Sequence, residues 1–255
     1  MRRTPPIPDE LRRFSPQRCP DRHPWCLASR NVYELPGLEG EQKMFASERM
    51  VDRKGREVLD WQFGDWDCDV LLLMQDAAPW TAIAERVGVH PDPFSARNFR
   101  EEPQAGGAAT NRELLRFSKP LDCRKLPGSA LIGLLKPGTG YSGSIEGLTR
   151  CNHNSRHISA ALRWVLDPAT TPNLRLLVCL GKPAFAMMAE ILKIERTVLE
   201  RLDRERGSIA RHGRIAVSYL WHPQPQAWSA VGREAVIASW QRMAQEVGIS
   251  WRAQL

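Results

Sequence analysis

Nowhere in the 255 residues does an apolar run approach the ~20 uninterrupted residues that a bilayer requires. The best stretch, Leu176 to Leu192, carries Lys182 and Glu190 inside it, so no membrane partner is expected. The beginning also lacks the apolar core of a secretory signal, because Arg2-Arg3 runs directly into Thr4-Pro5-Pro6-Ile7-Pro8. A cytoplasmic protein is expected. There is no Cys-x-x-Cys pair and no dense cysteine framework. Scattered cysteines at 19, 26, 68, 123, 151 and 179 predict buried thiols, with no disulfides. Internal repeats are absent. No Gly-Lys-Ser/Thr closes a glycine loop ahead of a helix, which excludes a Walker P-loop.

What is present is ordinary globular composition, 42% apolar and 25% charged, which excludes a collagen, a coiled coil or a wholly disordered tail. The formal charge of +7 comes with a large excess of Arg over Lys. A planar guanidinium fork suits phosphate, so a polyanionic partner such as DNA fits this balance, as does a merely solvated basic face. Residues 1–38 read as a proline-rich arm, interrupted at Pro5, Pro6, Pro8, Pro16, Pro20, Pro24 and Pro36, with room for one helical turn at Asp9 to Phe14. Residues 39–255 read as a single domain, expected to be monomeric.

Within that domain, Glu48 to Trp61 has the pattern of a hairpin around Lys54-Gly55. Four short, nearly continuous apolar runs follow: Asp69–Met74, Ser129–Leu135, Leu174–Leu180 and Arg214–Leu220. Runs of this kind suit strands buried on both faces of a parallel sheet. Helical periodicity fills the intervals, at Trp80–Val87, Asn111–Phe117, Ser155–Leu166, Pro183–Lys193, Glu195–Asp203 and Gly232–Glu246. The alternation predicts an α/β fold, a three-layer α/β/α sandwich on a central, mainly parallel four-stranded sheet.

Open parallel sheets work from the loops beyond the carboxyl ends of their strands. The first strand ends in Met74-Gln75-Asp76-Ala77-Ala78-Pro79-Trp80, so a carboxylate follows a buried run. Asp76 there is a general base or cation stabiliser, or else an Asx-turn or helix N-cap. The second strand runs into Lys136-Pro137-Gly138-Thr139-Gly140-Tyr141-Ser142, whose backbone N–H groups suit close approach to a phosphate. The third ends in Gly181-Lys182-Pro183, a glycine turn into a helix that serves packing or holds a phosphate at the helix N-terminus. The fourth feeds Trp221-His222-Pro223-Gln224-Pro225-Gln226-Ala227-Trp228. An imidazole between an apolar strand and two prolines has a rigid backbone; taken alone it is structural as readily as catalytic. Trp221 and Trp228 are core residues, or stack on an extruded base. Cys151, His153 and His157 have metal-like spacing, but lack an obvious fourth ligand. Hydrogen bonding is the simpler expectation, with Arg150 and Arg156 suited to phosphate.

Two of these motifs together, Gln75-Asp76 after the first strand and His222-Pro223-Gln224-Pro225 near the end, resemble the active-site motifs of the uracil-DNA glycosylase superfamily. Leu180-Gly181-Lys182-Pro183-Ala184 resembles its Leu-Gly-x-x-Ala turn, and Arg206-Gly207 followed by Val217 to Pro223 resembles its late segment. The matches keep the family's order from about Leu71 to Trp228. The resemblance implies the sandwich fold and hydrolysis of the N-glycosidic bond of a nucleotide flipped out of DNA, without a catalytic metal or other cofactor. Asp76 would orient water or stabilise the oxocarbenium-like sugar, and His222 would stabilise negative charge on the departing base. Lys136, Gly138, Thr139, Ser142, Arg150, Arg156, Lys182, Gln224 and Gln226 would contact DNA, with Trp228 or Trp221 as the plug where the family has an intercalating Leu. Some relatives carry a four-cysteine iron–sulfur cluster; Cys19 and Cys26, with six residues between them, do not match its close pair.

The departures bear on the base. The family's uracil-specific branch closes the second strand with an Asn that reads the pyrimidine edge, where this chain offers Gly133. Its Gln-Asp-Pro-Tyr becomes Gln75-Asp76-Ala77-Ala78-Pro79-Trp80, which displaces the aromatic wall beside the pyrimidine C5. A pocket of Gln75, Ala77, Trp80 and Gly133 has room for a bulkier base. A modified pyrimidine, such as 5-hydroxymethyl or glucosylated cytosine of phage DNA, is therefore expected over uracil, with antiviral defence as the implied setting. Uracil excision in base-excision repair, a non-catalytic nucleic-acid-binding protein of this fold and a nucleotide hydrolase remain as alternatives.

Overall fold

The computed structural model describes residues 8–31, 67–74, 113–114, 116–129, 134–135 and 151–252. The predicted hairpin at Glu48–Trp61 and helix at Trp80–Val87 lie outside them.

The described chain opens with α1 (Asp9–Arg12), a 3-10 turn (Pro16–Arg18), α2 (Pro24–Ala28) and β1 (Arg30–Asn31). There follow β2 (Val70–Met74), β3 (Lys125–Ser129), β4 (Leu134–Leu135), α3 (Asn152–Leu166), β5 (Leu176–Leu180), α4 (Lys182–Leu192) and α5 (Arg196–Arg204). The last elements are β6 (Ile209–His212), β7 (Ile215–Leu220), α6 (Pro225–Trp228) and α7 (Arg233–Glu246). The main sheet has the order β3-β2-β5-β7-β6. Four of its strands are parallel, and β6 adds an antiparallel edge through the turn at Gly213. Among the described residues, no helix is long and apolar enough to cross a membrane.

Strand periodicity divides the apolar runs between two cores. Leu71, Leu73, Leu177, Cys179, Val217 and Tyr219 face one way, and Val70, Leu72, Leu176, Val178, Leu180, Ala216 and Leu220 face the other. On the first face α3 lays Ile158, Ala161, Leu162 and Val165, a spacing of three and four residues that makes one helical stripe, and α4 and α5 pack beside it. On the second face α7 contributes Val236, Trp240, Met243 and Ala244 by the same periodicity, next to Leu114 and Phe117. Two helical layers therefore enclose the middle of the sheet, and β2, β5 and β7 are covered on both faces. That is why they read as unbroken apolar runs.

One predicted strand is displaced. The chain joins the sheet at Lys125–Ser129, upstream of the expected Ser129–Leu135, while Leu134–Leu135 pairs antiparallel with Arg30–Asn31. Pro127 and Gly128 interrupt any apolar run at β3. A proline is nevertheless tolerated there, because β3 stands at an edge among the described strands. β6 was also not predicted, since Ile209-Ala210-Arg211-His212 has little apolar content; its ladder is set by β7.

The arm docks on α3. Leu11 enters the first core, and the Phe14 ring stacks on His157 and His153 at 4.0 and 4.6 Å. Asn31 Nδ2 donates to the carbonyls of Leu11 and Phe14, fixing the arm's own turn. At the opposite end of α3 the Arg214 guanidinium donates to four carbonyls, of Leu166, Thr171, Pro172 and Leu174, at 3.0–3.2 Å. It satisfies the helix's last carbonyl, Leu166 O, and ties it to the connection that leads into β5.

Candidate active site at the carboxyl edge of the sheet

Leu73 pairs with Cys179 and Cys179 with Tyr219, so Met74, Leu180 and Leu220 end at one level. Because the three strands are parallel, the chain leaves all of them on the same edge. In sequence, Lys182 and His222 each lie two residues past that level, and so does Asp76, although Asp76 itself falls outside the described residues. β2 and β7 flank β5, which sets their ends about 10 Å apart at the usual strand spacing.

His222 is held by contacts from two segments of the chain. The Gly181 N–H donates to Leu220 O at 3.0 Å, joining the end of β7 to the turn before α4. Gly181 has φ +92°, and a Cβ built on it would stand 3.1 Å from His222 Cβ and 3.4 Å from Cδ2. The imidazole thus lies against bare backbone at the N-cap of α4. The Gln224 N–H donates to His222 Nδ1 at 3.1 Å. With Nδ1 accepting, the neutral ring carries its hydrogen on Nε2, which makes Nε2 the donor.

The next turn is anchored from below. Trp228 Nε1 donates to Pro223 O at 3.2 Å, and its ring meets Phe117 edge-on at 5.6 Å. Trp228 is only 8% exposed. Its burial favours the core alternative over contact with DNA, since the indole spends its donor on the loop and packs its ring on Phe117. Trp221 is half-buried beside His222. The Arg206 guanidinium lies 3.5 Å from the centroid of Tyr219 and 5.4 Å from that of Trp221, and is held by Asp203 Oδ1 at 2.5 Å. Gly207 next to it admits no side chain, because a Cβ there would stand 2.0 Å from Ser239 O. This packed turn braces Trp221 from the side, a role the sequence did not disclose for Arg206.

Lys182 opens α4 exposed to solvent, and Gln224 and Gln226 are exposed beyond His222. Arg156 is exposed in the second turn of α3. Gln75, Ala77, Trp80, Gly133, Lys136, Gly138, Thr139, Ser142 and Arg150 lie outside the described residues. Gly133 was expected to close the second strand; the strand that enters the sheet ends earlier, at Ser129.

The histidines beside Cys151 do not turn to it. His153 Nε2 is 2.9 Å from Ser15 O, and both His153 and His157 stack on Phe14, in keeping with the hydrogen-bonding expectation. Cys151 instead meets two cysteines of the arm. Its sulfur is 3.2 Å from that of Cys19, and Cys26 completes a buried group whose sulfurs all lie within 4.8 Å of one another. The sequence spacing concealed this, because 19 and 26 come together only through the turns of the arm.

No protein-family model matches the chain, and no curated protein matches it.

Proposed function

We propose that the protein is a monofunctional DNA glycosylase that hydrolyses the N-glycosidic bond of a flipped-out modified pyrimidine and leaves an abasic site. The observation that carries this reading is the His222 imidazole. It is pressed on Gly181, fixed as an Nε2–H donor by the Gln224 N–H, and set at the edge of the sheet toward which the chain leading to Asp76 departs.

The chemistry asks for charge stabilisation at both ends of one bond. As the sugar–nitrogen bond lengthens, positive charge grows on the sugar and negative charge on the base. A preorganised N–H donor at the base and a carboxylate at the sugar lower that barrier together. His222 Nε2–H serves the base, and Asp76 the sugar or the attacking water. A neutral donor already held in place needs no reorganisation as the charge develops. The bond is out of reach within stacked DNA, so the nucleotide must be extruded. Lys182 and Arg156, both exposed, supply phosphate contacts that position the strand, and Lys136, Gly138, Thr139, Ser142 and Arg150 are proposed for the same task. Excision of a bulky modified base from an invader's genome would make the enzyme antiviral.

The test is incubation with duplex and single-stranded DNA carrying uracil, hypoxanthine, 5-hydroxymethylcytosine or glucosylated cytosine, with the freed base identified by mass. Release of a modified cytosine is expected. Release of uracil alone would assign the enzyme to repair of deaminated DNA, and binding without release from any substrate would leave a nucleic-acid-binding protein.

A further inference from the structure

Three cysteines from separate segments converge where the arm crosses the start of α3. Cys19 follows the 3-10 turn, Cys26 lies within α2, and Cys151 is the N-cap of α3. All three are buried, at 3%, 0% and 2% exposure, and they form a cluster of their own, apart from the two cores. Cores gain nothing from gathering three thiols at one point, since any small apolar side chains would pack as well. The turn that carries Cys19 is closed by the Arg22 N–H on Cys19 O at 3.1 Å, and it holds Arg22 at φ +49°. Cys151 stands at the positive end of a 15-residue helix.

The spacing discriminates between ligands. Thiolates sharing one tetrahedral ion with Zn–S bonds of ~2.3 Å stand about 3.8 Å apart. Cys19 and Cys151 sulfurs stand 3.2 Å apart and all three lie within 4.8 Å of one another, a spacing that accommodates that value. The four thiolates of a cubane cluster each bind a different iron and stand farther apart. Among the described residues, no fourth cysteine, histidine or carboxylate joins the three. The residues do not fit an iron–sulfur cluster.

We propose that Cys19, Cys26 and Cys151 hold a single thiophilic divalent ion, zinc, which pins the N-terminal arm to the start of α3. On binding, the three thiols release their protons and each sulfur donates one electron pair to the ion. The fourth position falls to water. No electron is transferred, and the ion has a structural role, so the site stands independently of the glycosylase reading.

The test uses the full chain purified under reducing conditions, with elemental analysis. About one zinc per chain without inorganic sulfide is expected, kept in Cys123→Ser but lost in Cys26→Ser and Cys151→Ser. In case those variants fail to fold, wild-type protein stripped with a chelator is titrated with Co2+. One-to-one uptake with sulfur-to-cobalt charge-transfer absorption in the near ultraviolet, together with a recovered melting temperature, is expected. The proposal is overturned if reduced, folded wild-type protein takes up neither ion. It is equally overturned if iron and sulfide appear, or if native protein is two hydrogens lighter because Cys19 and Cys151 are joined.

Discussion

The His222 side chain rests on the backbone of Gly181, with 3.1 Å between its Cβ and the place where a side chain at 181 would begin. Glycine is required here twice over, for space and for φ +92°. A Gly181→Ala chain must adopt a backbone conformation that costs about 1–3 kcal/mol, and must also push the imidazole by a few tenths of an ångström. Base release is expected to fall by about tenfold or more, since misplacement on this scale disrupts a preorganised donor. Single-turnover kinetics beside a thermal melt measure the two effects. A melting temperature that falls while the chemical step is unchanged would mean that the contact serves packing alone.

His222→Ala and Asp76→Asn each remove one end of the proposed charge stabilisation. Base release is expected to drop about 10²-fold or more in each variant, while DNA affinity stays near wild type. Single-turnover assays and a binding titration on the same DNA separate these quantities. Full activity in both variants would remove the assignment. Borohydride trapping adds a check on the monofunctional mechanism: no covalent adduct through Lys182 or Lys136 is expected.

The sheet was legible wherever strands are enclosed by helices. Leu71 to Leu73 and Leu176 to Leu180 are apolar because both faces are covered, and helices such as α3 and α7 show their stripes plainly. Legibility ended where tertiary pairing outweighs local pattern. Lys125–Ser129 becomes a strand despite Pro127 and Gly128 because β2 offers a ladder, and β6 forms because β7 does. At the site, the rigidity of His222 was readable from its flanking prolines. The fate of Trp228 was not: a tryptophan on a Pro-Gln-Ala-Trp turn looks the same in sequence whether it faces Phe117 or solvent. The thiol cluster was hidden for a related reason, since it is assembled by the path of the arm across α3 and no spacing rule encodes that path.

Trp228 and Lys182 therefore call for opposite outcomes. Trp228→Ala removes a buried indole and its bond to Pro223 O, and is expected to lower stability by about 3–5 kcal/mol, with any loss of DNA binding tracking the unfolded fraction. Lys182→Ala leaves the fold unchanged, because the side chain is exposed at the first residue of α4. If Lys182 contacts a phosphate, the variant weakens DNA binding and reduces the slope of log affinity against log salt by about one. Urea melts and a salt series of binding titrations test both, and an unchanged slope would place Lys182 outside the DNA interface.

Alkaline pH probes both cores from within, Cys179 and Tyr219 in the first and Cys123 beside the second. Burial pushes the Cys179 thiol up, pushes Cys123 up to about 11, and raises Tyr219 against the opposing pull of the Arg206 guanidinium. Each group loses its proton more readily in the unfolded chain than in the folded one. The folded protein therefore binds more protons above the ordinary thiol value of 9.0, and stability must fall as pH rises. The contribution of Cys123 is intact below pH 9 and is lost as pH climbs through about 11. Melting temperatures taken from pH 8 to about 11 are expected to decline, and Cys123→Ala should flatten the first part of that decline. Cys123 lies outside the Cys19, Cys26 and Cys151 group, so this substitution leaves zinc content alone. A decline as steep in the variant as in the wild type would trace the alkaline loss to Tyr219 or Cys179.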